Sequence, residues 1–124
     1  MTNILLLPQL SGALTAVTNA DLRVAVEFVQ AAGTALDITG IVFRSQWRLA
    51  TDPTQIGLDM STVNGLLING GSSGLLSWQV LAAITRLVPP GDYLADMLAI
   101  ADGAVINLFQ VEPLAVTVTR GLTC

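Results

Sequence analysis

Leu22, Val24, Val26 and Phe28 alternate with Arg23, Ala25 and Glu27, the period-two signature of a half-buried strand, so a first strand is expected over about residues 21–30. A second is expected beyond Asp37-Ile38-Thr39-Gly40, where Ile41, Phe43 and Trp47 oppose Arg44, Gln46 and Arg48. A polar break at Thr51-Asp52-Pro53 precedes a weaker strand over 56–63. Asn64-Gly65 then carries the two-residue hairpin signal, because both central positions of a type I′ turn need positive φ. Residues 66–68 are expected to pair back across it.

Asn69 to Gly74 has the composition of a flexible loop, and residues 75–80 resume an extended pattern with Leu76 and Trp78 on one face. Leu81, Ile84 and Leu87 have helical spacing, and Pro89-Pro90 stops any helix there, which predicts one short corner helix. Residues 91–101 and 104–111 alternate around Asp102-Gly103, a second hairpin signal. Pro113 interrupts the chain before a last strand, 114–120, and implies an edge or a bulge because proline cannot donate to a ladder. Seven or eight short strands with one helical turn predict an all-β, Ig-like antiparallel sandwich. Residues 1–19 read as an apolar N-terminal leader or arm and 20–124 as a single domain, which the 124-residue length suits.

Composition adds a constraint on how the molecule is used. Hydrophobic residues make up 52% of the chain and charged ones 11%, against about 25% charged in an ordinary soluble domain. A surface so poor in charge has little protection against association, so a homo-oligomer or assembly component is expected. Net charge is −4, and the five basic residues are arginines scattered along the chain. Nucleic-acid binding, which needs clustered cations, is disfavoured. No apolar run approaches the roughly 18 residues of a membrane span, and no positive region precedes Ile4 to Leu7 as a secretory signal would require. Synthesis in a cytoplasm without membrane insertion is the expectation.

Histidine is absent and the one cysteine, Cys124, is the last residue. That inventory removes His-based triads and most transition-metal sites, and no cofactor is expected. Cys124 is left to an intermolecular bridge or to an inert terminal thiol. Asp92 and Asp96 are the one close carboxylate pair outside turns, but four positions along a strand separate them by about 13 Å, beyond the about 5 to 10 Å of a glycosidase pair. Catalysis is therefore not expected. Candidate protein contacts are Ile4, Leu5, Leu6, Leu7 and Leu10 at the N-terminus, the 69–74 loop, and Leu114, Val116, Val118 and Arg120 at the C-terminus. An apolar terminal strand can pair with its own sheet or add to a neighbour's edge. Trp47 and Trp78 are the candidates for stacking a carbohydrate, should the module bind a sugar or receptor; packing in a core or interface is the competing role.

Three elements in order, Asp37-Ile38-Thr39-Gly40 with Phe43 and Trp47-Arg48, then Leu87-Val88-Pro89-Pro90-Gly91-Asp92-Tyr93, then Asp102-Gly103 with Val116-Thr117-Val118-Thr119-Arg120, resemble small Ig-like modules of tailed bacteriophages. Such modules stand at the N-terminus of upper-baseplate and tail-fibre proteins, and the resemblance covers about residues 20–120. It implies a non-enzymatic virion structural protein that contacts itself and other virion proteins as a connector, tail-tip or baseplate subunit, or decoration. Tyr93 at the start of its strand suits a corner in which the hydroxyl bonds back to the preceding turn.

Overall fold

A computed structural model describes residues 7, 10, 12–29, 33–110 and 112–121. These residues form ten strands in two sheets: β1 (Ala13–Val17), β2 (Leu22–Glu27), β3 (Val42–Leu49), β4 (Asp52–Ser61), β5 (Leu67–Asn69), β6 (Leu75–Val80), β7 (Gly91–Ala95), β8 (Leu98–Ala101), β9 (Ala104–Asn107) and β10 (Leu114–Thr119). One short helix, α1 (Ala82–Thr85), turns the corner between β6 and β7. The larger sheet runs β1-β10-β7-β3-β8-β9 with β4 on the other side of β3; the smaller runs β2-β6-β5. Between them lies a core that includes Phe28, Phe43, Trp47, Met60, Leu76, Trp78 and Met97. This is an Ig-like β-sandwich.

β3 pairs with β8 over Val42↔Ile100 to Arg44↔Leu98 and with β7 over Trp47↔Ala95 to Leu49↔Tyr93. Those two partners are one bent strand in unbroken register. Where the ladder is interrupted, Asp96 stands in for it: its carboxylate accepts the Gln46 N–H at 3.0 Å and its carbonyl accepts the Ser45 hydroxyl at 2.6 Å. The hairpin at Asp102-Gly103 forms as expected, both residues having positive φ (51° and 78°) and Ala101 facing Ala104. Pro113 falls in the irregular stretch between β9 and β10, outside both ladders, where it has no strand hydrogen bond to donate.

Four expectations change. Asn64-Gly65 is a turn but not a hairpin: only Gly65 has positive φ, and β5 pairs with β6 in the opposite sheet. The Asn64 side chain instead ties the crossover, accepting N–H groups from Ser61 and Leu66, both at 3.0 Å. β4 begins at Asp52, where a break was expected, because its outer side is unpaired among the described residues and so tolerates Pro53. The 69–74 segment is a tied hairpin tip rather than a free loop: Asn69 Nδ2 donates to the carbonyls of Ile38 and Ile41, both at 2.8 Å. Finally β1, inside the expected leader, belongs to the large sheet and pairs in parallel with β10. The sandwich is therefore not wholly antiparallel, and its sheets begin before residue 20.

The Tyr93 hydroxyl donates to the Pro89 carbonyl at 2.7 Å, closing the corner anticipated from Pro-Pro-Gly-Asp-Tyr. In Ig domains the residue two beyond this tyrosine is a cysteine bonded to the other sheet and covered by a tryptophan. Here the position is Ala95, directly paired with Trp47 in the neighbouring strand of the same sheet. Burial holds the Tyr93 phenol above its ordinary pKa, so the unfolded chain loses this proton first. Stability from this group is full below about pH 10 and is lost as pH rises further through the native value. Tyr93→Phe is expected to cost about 1 to 2 kcal/mol in urea unfolding at neutral pH, since it leaves the Pro89 carbonyl without its donor, and to flatten part of the alkaline decline.

Candidate functional site

Strand β2 forms one edge of the small sheet, and no described strand pairs with its outer side. The hydrogen-bond alternation shows which groups are left open. Phe28 N–H donates to Gly74 at 2.8 Å, one step past the Glu27↔Leu75 pair, while Gln79 N–H turns away from β2 to reach Leu66 at 2.8 Å. In an antiparallel ladder the orientation alternates, so the backbones of Leu22, Val24 and Val26 face β6. Those of Arg23, Ala25 and Glu27 face outward.

Beside this edge the two sheets part. A cleft of about 390 Å³ lies between β1 and β2, lined by Leu10, Leu14, Val24, Val26, Trp78, Phe109, Leu114 and the small residues Gly12, Ala13 and Ala25. Val24 and Val26 point inward yet are only half-buried, so apolar surface remains uncovered next to unpaired backbone. An edge of this kind is a template for strand addition.

The expected contact residues divide around this cleft. Leu10 lines it and is fixed by its N–H to the Leu108 carbonyl at 2.7 Å. Leu7 is buried in the core, and Ile4, Leu5 and Leu6 lie outside the described residues. Leu114 is largely buried but also lines the cleft. Val116 and Val118 are corrected: β10 is paired on both sides, by β1 and β7, and alternation turns their side chains into the core. Neither the side chains nor the backbone of Val116 and Val118 can meet a partner. Arg120 is exposed and lines a second recess of about 390 Å³ with Thr18, Asn19, Arg86 and Pro89-Pro90. There Asn19 Oδ1 accepts Arg86 Nε–H at 2.9 Å.

Trp47 and Trp78 are 1% and 3% exposed, so neither offers a face for a sugar to stack on. Each indole Nε1 is buried without a hydrogen-bond partner. Asp92 and Asp96 are bound into the fold, Asp92 through Thr117 at 3.4 Å and Asp96 through β3. The other acids act locally. Thr39 and Thr54 hold Asp37 and Asp52 below the usual carboxylate pKa, and Arg44 does the same for Asp59 through a 3.0 Å ion pair. Among the described residues no group of acids, cysteines or histidines could hold a metal ion, and no helix is long and apolar enough to cross a membrane.

The edge of β2 escaped the sequence analysis. Its alternation marks a strand but not whether both sides are paired. The one available signal was Arg23 and Glu27 placed symmetrically about Ala25.

No protein-family model matches the chain, and no curated protein matches it by sequence. Among solved structures it is similar to the Lin-41 filamin domain, at 12% identity over 86% of this chain and 84% of that one, with a TM-score of 0.47. Similarity at that level does not extend to function.

Proposed function

We propose that the chain is a non-catalytic assembly module, of the virion-structural kind its sequence resembles, which docks onto other copies or other structural proteins through a sheet edge. The observation that carries this is the β2 edge, unpaired among the described residues, beside an apolar cleft. Main-chain groups supply affinity without any particular partner sequence, and the cleft supplies apolar burial at about 25 cal/mol per Å². Charge poverty supports the same conclusion: exposed Val63, Leu87 and Val105 lie on a chain with few charges to oppose contact. A carbohydrate-binding role has no comparable support, since both tryptophans are enclosed.

Light scattering across a concentration series tests the proposal. A discrete oligomer is expected, at a whole multiple of the 12.9 kDa chain mass. A monomer that persists at the highest concentration overturns the homo-oligomeric assembly.

A further inference from the structure

We infer that the partner of the β2 edge is a second copy of β2, running antiparallel about a two-fold axis at Ala25. The inference rests on the assembly role above and names its interface. Three features of one short strand support it together.

The open backbone groups belong to Arg23, Ala25 and Glu27, spaced evenly about Ala25. Centring a second strand there sets Ala25 against Ala25 and Arg23 against Glu27 of the other copy, twice over. All three positions then fall at hydrogen-bonded pairs of the new ladder, so each outward N–H and C=O finds a partner. No other register about this strand places opposite charges in both pairs and leaves its smallest side chain at the axis.

Charge follows the same symmetry. Arg23 and Glu27 are both exposed on the outer face, and directly opposed unlike charges stabilise a strand pair whereas like charges destabilise it. Arg23 already touches Asp21 at 3.2 Å, but both side chains are well exposed, at 60% and 40%, so that contact is weak and easily exchanged. On the inner face the same register sets Val24 against Val26 of the other copy. These are the half-buried valines of the cleft, and the two-fold brings both clefts together and covers them. A self-complementary patch of this kind closes as a dimer and does not propagate.

The test uses charge reversal at two exposed positions, with circular dichroism confirming that each variant folds. Arg23→Glu sets Glu against Glu in its own dimer, and Glu27→Arg sets Arg against Arg; each is expected to weaken self-association by at least about tenfold. Mixed in equal amounts, the two variants form only unlike pairs, and native mass spectrometry is expected to find a dimer with one chain of each. If the wild-type chain associates but neither reversal affects it, the β2 interface is overturned and the assembly role stands on another surface. Reversals that weaken association without recovery on mixing also overturn the two-fold pairing. A wild-type monomer overturns both.

Discussion

Trp47→Ala is expected to cost about 3 to 5 kcal/mol of folding stability, a large share of the about 5 to 15 kcal/mol that a small domain has in all. Trp47 is the largest of the fully buried side chains. It pairs with Leu58 on one side and Ala95 on the other, and its ring centre is 6.4 Å from that of Tyr93. No disulfide spans the sheets at this place, so nothing covalent limits the opening that truncation would leave. Trp47→Phe separates volume from polarity. It keeps an aromatic ring in contact with Tyr93 and removes an indole N–H that is buried without a partner, a group whose burial is itself costly. Urea unfolding of both variants is expected to give a much smaller loss for phenylalanine. Equal losses would mean that the Nε1–H has a partner in the folded protein.

Gly57→Ala is the second large effect, expected at about 2 to 4 kcal/mol. A Cβ at Gly57 would run into the Tyr93 ring, and moving that ring also breaks its hydroxyl bond to Pro89. Over-packing and a lost hydrogen bond therefore arrive with one methyl group. The Tyr93→Leu background supplies the control, since shortening that side chain removes the obstacle. If the collision is the cause, Gly57→Ala costs far less in Tyr93→Leu than in the native chain, a non-additivity that a double-mutant cycle reads directly. Purely additive losses would place the cost in the β4 backbone instead.

Individual strands were legible wherever one face is buried and the other wet, because alternation then leaves its mark on residue type. β2, β3, β6 and β10 fall within two or three residues of expectation for this reason. The Asp102-Gly103 hairpin was legible because positive φ at both positions selects those residues. The tyrosine corner was legible because Pro-Pro-Gly-Asp-Tyr fixes both the bend and the hydroxyl that closes it. The same local logic failed at Asn64-Gly65. The dipeptide specifies a turn, but whether the following strand returns to its neighbour or crosses to the other sheet depends on where Leu67 finds apolar cover.

The candidate site divides in the same way. Sequence by itself determined an all-β chain with an apolar core, an inventory without histidine, and the symmetric placement of Arg23, Ala25 and Glu27. Only the tertiary structure decided which strands have a neighbour on both sides. Pairing on both sides enclosed β10 and removed Val116 and Val118 from any interface, and its absence among the described residues left β2 open beside the cleft. Side-chain alternation reports the environment above and below a strand, whereas edge or centre is set by backbone groups that are the same in every residue except proline.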